Sequence, residues 1–298
     1  MVNFRRELYP FVGAYLNLDG NALHYLDEGS GDPVVMLHGN PTWSFFYRRL
    51  VPALSDRCRV IVPDHIGCGL SDKPDDAHYR YTLEQRVADL GALLDHLGLK
   101  KNITLVLHDW GGMIGMAWAV KNPERVRRLV LLNTGAFHLP ASKPFPPSLR
   151  FCRDSRVGAF LVRGANLFSR AAVRWCCTRS PMPRDVREGY LRPYNSWRNR
   201  VAVLRFVQDI PLTPGDPSYE LVSETERGLK QFQNTPTLIC WGDRDFVFDE
   251  HFLAEWKRRL PAAEVHQFAD AGHYVIEDAG AEIIPLIQKF LARHPLAA

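Results

Sequence analysis

Four clusters of polar residues, each following a short apolar run, hold the chemistry available to this 298-residue chain. The sharpest is Leu107-His108-Asp109-Trp110-Gly111-Gly112, which closes the run Ile103–Leu107 and opens a helical stretch. Two glycines let the chain bend tightly there while one side chain projects from the turn. Taken alone, an Asp in front of a helix reads equally well as an N-cap. The other three clusters are His38-Gly39-Asn40-Pro41 after Val34–Leu37, Trp241-Gly242-Asp243-Arg244-Asp245 after Thr237–Cys240, and Asp270-Ala271-Gly272-His273-Tyr274 after Val265–Phe268. Together they suit a nucleophilic displacement. A carboxylate at Asp109 can attack an sp3 carbon, expel a leaving group and become an alkyl ester. His273 can then take a proton from the water that cleaves the ester, with an acid behind it fixing its tautomer. Asp243 and Asp245 compete for that last place, and the Gly-x-x-Asp spacing from Gly242 favours Asp245.

Those clusters need strands and helices to converge. Short apolar runs (the four above, Val60–Val62 and Leu129–Leu132) alternate with amphipathic stretches at Thr82–Leu97, Gly112–Val120, Phe252–Leu260 and Ile283–Ala292. That rhythm predicts an α/β fold around a mostly parallel sheet. It fails between Pro/Gly clusters at about 136 and 215, where an arginine-rich stretch reads as short helices. Thirteen arginines and Lys143 face four carboxylates there, a local charge near +10, although the whole chain is only +4. The division expected is core at 1–135, an inserted helical cap at 136–215, and core again at 216–298. A charge this mild gives no reason to expect nucleic-acid binding. No run approaches the roughly 20 apolar residues of a membrane span. The stretch Met1–Tyr9 lacks the apolar segment of a secretory leader, and six cysteines without CxxC spacing read as reduced thiols. A cytoplasmic protein is therefore expected. With no ligand cluster or dinucleotide-type glycine turn, neither metal nor organic cofactor is expected.

The chain order Asp109, Asp245, His273 resembles that of α/β-hydrolases, with Asp109 at the nucleophile elbow and Leu107 where the usual motif has its first glycine. In that fold, backbone N–H groups of the loop at Asn40 and of the residue after the nucleophile stabilise a developing oxyanion. More narrowly, His38-Gly39-Asn40-Pro41-Thr42-Trp43 and His108-Asp109-Trp110-Gly111-Gly112 resemble the haloalkane dehalogenase family, over nearly the whole chain from about Tyr25. The resemblance implies that the Asn40 amide and the Trp110 indole N–H hold a departing halide. One dehalogenase branch has a Glu near the end of the strand after the nucleophile helix. Here that stretch reads Leu131-Leu132-Asn133-Thr134, which leaves the acid to Asp245 and resembles a third branch, close to bacterial β-lactone decarboxylases of hydrocarbon biosynthesis.

The first expectation is therefore hydrolytic dehalogenation of a haloalkane. The alternative is decarboxylation of a cis-3,4-dialkyl β-lactone to an alkene, which begins with the same attack by Asp109. An epoxide hydrolase, polarising its substrate with Tyr190 and Tyr194, is a lesser reading. Tyr190, Tyr194, Trp197 and the run Asn195–Arg205 are expected to shape the pocket for a small hydrophobic substrate. The cap's arginines read first as a solvated helical face, and second as a dock for an acidic protein partner or an anionic membrane.

Overall fold

Strands buried on both faces should read as near-continuous apolar runs, because helices cover both sides of a parallel sheet. In the computed structural model, which describes residues 7–296, the six expected runs become β3 to β8 of an eight-stranded sheet. The strands are β1 (Ala14–Leu18), β2 (Asn21–Glu28), β3 (Asp32–Leu37), β4 (Cys58–Pro63), β5 (Ile103–Asp109), β6 (Val126–Thr134), β7 (Thr237–Gly242) and β8 (Glu264–Phe268). Their order is β1-β2-β4-β3-β5-β6-β7-β8, and from β4 to β8 every neighbouring pair is parallel. All seven residues of β5 are buried, which places Asp109 at the end of the central strand. The antiparallel hairpin β1–β2 was not among the expected strands. Its residues are too exposed in β1 to leave an apolar run, and its turn is Asp19-Gly20, both with positive φ.

The helices are α1 (Leu50–Leu54), α2 (Leu83–His96), α3 (Trp110–Lys121), α4 (Pro147–Asp154), α5 (Arg156–Gly164), α6 (Leu167–Trp175), α7 (Arg184–Leu191), α8 (Val201–Gln208), α9 (Tyr219–Gly228), α10 (Glu250–Arg259) and α11 (Val275–Arg293). Helix α2 starts where its pattern predicts, because the Thr82 hydroxyl accepts the Gln85 N–H. Apolar residues of α2, α3, α9 and α10 join one face of the sheet, and those of α1 and α11 join the other. Helix α11 begins eight residues before the expected Ile283. Its backbone leaves helical geometry at Ala279, and Pro285 removes an N–H further on, so only the second part has an uninterrupted apolar period.

Among the described residues, the regular elements between β6 and β7 are all helices, joined by loops. Cys152, Val162, Tyr194, Val203, Leu204 and Val207 form an apolar cluster separate from the two core layers. Val222 of α9 instead belongs to the core beside α3. We propose the division into core, cap and core at 136 and 215 on that packing. Electrostatics fasten the seam: Arg205 grips Asp76 at 2.7 Å, and Arg179 pairs with Asp270 at 2.8 Å and with Glu282. Part of the cap's positive charge is thus matched by core carboxylates. No helix among the described residues is long and apolar enough to cross a membrane. Part of the leader reading, Met1–Arg6, lies outside the described residues.

Candidate active site

Asp109 has φ +51° and ψ −127°, a conformation L-residues rarely adopt, at the point where β5 turns into α3. The turn is possible because its neighbours have no side chains. A Cβ on Gly111 would lie 2.0 Å from the Leu37 carbonyl oxygen, and one on Gly112 would lie 1.9 Å from Thr134 Oγ1. Gly111→Ala drives a methyl into backbone rather than into a movable side chain. It should cost about 2–3 kcal/mol of stability, measured by urea denaturation. Gly39 allows an equally close approach, since its Cβ would meet Asp109 Oδ1 at 1.9 Å.

The backbone N–H groups expected to serve an oxyanion grip the Asp109 carboxylate itself. Asn40 N–H donates to Oδ1 at 2.6 Å, and the Trp110 N–H also donates to the carboxylate. The other oxygen, Oδ2, lies 3.6 Å from His273 Nε2. Burial pushes the Asp109 carboxyl up, and His273 with the two N–H donors only partly opposes this. On the far side of the imidazole, Nδ1–H donates to Asp245 Oδ2 at 2.7 Å. Burial alone would lower His273, but the charges of Asp245 and Asp109 raise it above its ordinary value. Asp243 points elsewhere. It is exposed and accepts a bond from Gln267 at 3.0 Å.

Two residues in this arrangement have no role in the sequence reading. Asn133, noted there only because it is not a carboxylate, has φ +35° and lies behind the acid. Its Nδ2 donates to Asp245 Oδ2 at 3.1 Å and to the Gly242 carbonyl at 3.0 Å, while its Oδ1 accepts the Gly242 N–H at 2.8 Å. His108, buried and stacked on Phe46 at 4.2 Å, reaches the His273 carbonyl with Nε2 at 2.9 Å. Both contacts cross more than 100 residues of chain, so no local motif announces them.

Asn40 and Trp110 both border the cavity that contains Asp109 and His273. The Asn40 amide donates one N–H to the Val203 carbonyl at 3.1 Å, which ties it to α8, and its Oδ1 is buried without a partner. The Trp110 indole packs against Phe206 with ring centres 5.3 Å apart on the cavity wall. Both side chains can therefore still donate a hydrogen bond into the cavity.

That cavity measures about 490 Å³ and is mostly apolar, with Met113, Phe137, Leu149, Phe168 and Phe248 among its walls. It suits an alkyl-bearing substrate. The expectation that Tyr190, Tyr194 and Trp197 shape it is not met. Tyr190 is buried and donates to Glu277 at 2.5 Å, and Tyr194 donates to the Thr42 carbonyl at 3.0 Å. These hydroxyls satisfy buried partners at the cap–core seam, so neither is available to polarise an epoxide. Trp197 lies on the outer surface, 47% exposed.

A model for the alpha/beta hydrolase fold matches residues 32–280. The chain is 59% identical to a cis-3-alkyl-4-alkyloxetan-2-one decarboxylase of Shewanella oneidensis over 284 residues, 95% of this chain and 89% of that one. It is 51% identical to the enzyme of that name from Xanthomonas campestris pv. campestris, covering 97% and 98% of the two chains. Among solved structures it resembles a haloalkane dehalogenase of Agrobacterium tumefaciens C58, with a TM-score of 0.84 and 28% identity over 95% of this chain and 97% of that one. With its parallel sheet, its elbow at the end of β5 and this likeness along nearly its whole length, the chain belongs to the α/β-hydrolase fold family.

Proposed function

We propose that the protein decarboxylates cis-3,4-dialkyl β-lactones to alkenes, with Asp109 as nucleophile. The observation that carries this is the 59% identity, over 95% of the chain, to an enzyme named for that reaction. The apolar cavity around a single buried Asp–His–Asp line supports it. This makes the sequence reading's alternative the better supported one, ahead of dehalogenation.

The chemistry balances without water. Asp109 Oδ2 attacks the ring carbon bearing the lactone oxygen. That C–O bond breaks, and the freed carboxylate stays on the adjacent carbon. The Asn40 amide and Trp110 indole N–H are the donors placed to receive it. Its C–C bond then breaks, the electron pair forms the alkene, and the Asp109–carbon bond opens to restore the carboxylate and release carbon dioxide. An apolar cavity favours this step, because a carboxylate there is poorly solvated while Asp109 has two backbone N–H groups waiting. Attack with inversion followed by anti elimination keeps both alkyl groups on one side, so a cis lactone yields a cis alkene. His273, held by Asp245, balances the charge returning to Asp109. The test is incubation with a cis-3,4-dialkyl β-lactone, followed by gas chromatography for the cis alkene and measurement of carbon dioxide. Recovery of only the β-hydroxy acid would refute the proposal.

Dehalogenation is the second reading, favoured by the likeness to the dehalogenase structure. It differs in needing His273 as a neutral base toward water. Both reactions require Asp109 ionised, so both decline as pH falls through its raised pKa. Haloalkane turnover should decline sooner, as protonation removes the His273 base. Below that limb, bromide release is expected to drop about tenfold per pH unit while lactone turnover continues. Coincident acid limbs for the two substrates would count against this division of roles.

We also propose a cytoplasmic location, supported by six unpaired thiols. The acidic protein partner inferred from the cap's charge has less to hold than composition implies, because Arg153, Arg179 and Arg205 already pair with Asp216, Asp270 and Asp76.

A further inference from the structure

The outer face of the cap has no part in the chemistry above. Residues 147–175, spanning α4 to α6, contain six arginines and one carboxylate, Asp154, which Arg153 already bridges at 2.5 Å. On α5, Arg156, Val157 and Phe160 point outward. On α6, Leu167, Arg170, Arg174 and Trp175 do. Val157, Phe160 and Trp175 are each more than 60% exposed. Of the ten large hydrophobic side chains exposed among the described residues, six lie in the cap: Phe151, Val157, Phe160, Leu167, Trp175 and Trp197. Single exposed apolar residues are ordinary, but a cluster of them interleaved with arginines is not. Arg156, Arg170 and Arg174 have no carboxylate partner among the described residues, unlike the arginines of the seam.

A second observation says what such a face is for. Leu167 and Trp175 are exposed on this surface and also line the cavity that leads to Asp109. The apolar interior therefore borders the arginine-aromatic patch along α6, at Leu167 and Trp175. We propose that the α5–α6 face docks on an anionic lipid bilayer. The arginines meet headgroup phosphates, Phe160 and Trp175 enter the interfacial layer, and the cavity mouth faces the acyl chains. Arginine with tryptophan and phenylalanine is the composition of an interfacial surface. A protein seated on the same face would cover the mouth through which a water-insoluble substrate must pass. Docking itself stands apart from the proposed decarboxylation; only the passage of substrate rests on that reading.

The test uses the full chain and flotation with vesicles of phosphatidylcholine, alone or mixed with phosphatidylglycerol. The protein should float with the mixed vesicles and not with phosphatidylcholine alone, and added salt should release it. The triple variant Arg156→Gln, Arg170→Gln, Arg174→Gln should lose on the order of 100-fold in vesicle affinity. It should still turn over a short-chain, water-soluble β-lactone at the parent rate, since none of the three residues lines the cavity. Should the triple variant fail on the soluble lactone, Arg174→Gln alone decides, with an expected loss of about fivefold. Phe160→Gln should weaken binding without changing its dependence on phosphatidylglycerol. Absence of flotation with mixed vesicles, undiminished binding by the arginine variants, or retention of a purified acidic protein in place of vesicles would each overturn the proposal. Failure of the parent protein to make alkene from the soluble lactone would instead overturn the decarboxylase reading and leave the vesicle result standing.

Discussion

Asp109→Asn should abolish alkene formation from a cis-3,4-dialkyl β-lactone, with a fall of at least about 1000-fold in kcat/KM. The reason is local. The carboxylate lies at the end of β5, with one oxygen held by the Asn40 N–H at 2.6 Å and the other turned toward His273. An amide retains the shape and much of the hydrogen bonding but offers no charged oxygen to open the ring. Burial raises the Asp109 carboxyl, so the native protein carries a charge at a dehydration cost that the variant no longer bears. Thermal stability of Asp109→Asn is accordingly expected to equal or exceed that of the parent. A variant that is equally folded yet still makes alkene at the parent rate would remove Asp109 from the mechanism. A variant that is inactive because it is unfolded would be recognised by its melting curve.

His273→Gln should separate the two chemistries that share this nucleophile. With a long 1-bromoalkane, attack by Asp109 still releases one bromide, but no base remains to activate water. Steady-state bromide release should fall by about 100- to 10,000-fold, and intact-protein mass should increase by one alkyl group. With the β-lactone, the ester leaves by elimination and needs no water. Alkene formation is expected to fall by only about tenfold, reflecting lost charge balance beside Asp109, and no stable adduct should build up. The contrast depends on His273 facing both carboxylates, 2.7 Å from Asp245 and 3.6 Å from Asp109. Equal losses on both substrates, or a lasting lactone adduct, would show that His273 does more in decarboxylation than balance charge.

The grouping of Asp109, Asp245 and His273 was legible because each follows a parallel strand, β5 and β7 fully buried and β8 at the sheet edge. Ile103–Leu107 and Thr237–Cys240 are apolar runs that read as core strands of a covered parallel sheet, Val265–Phe268 is the half-exposed edge strand beside them, and parallel strands release their chains at one edge. The pair Gly111-Gly112 signalled the tight turn for the same local reason, since a Cβ on either would strike the sheet behind it. The choice between Asp243 and Asp245 rested on spacing. The geometry brings Asp245 against His273 and leaves Asp243 in solvent beside Gln267. The hairpin β1–β2 was not legible, because an edge strand with exposed residues carries little pattern.

Sequence by itself determined the fold class, the elbow and the identities of the groups that meet there, since these follow from apolar periodicity and turn chemistry within a few residues. Tertiary structure alone decided what surrounds them. Asn133 supports Asp245 from 112 residues away, Asn40 is tied to Val203 across 163, and Tyr190 and Tyr194 turn from the cavity to satisfy buried acceptors. The basic cap, one figure in the composition, divides into arginines paired with the core and arginines left facing outward. Hydrogen-bond satisfaction and charge pairing are settled by which elements pack together, and that is not written in any short stretch of chain.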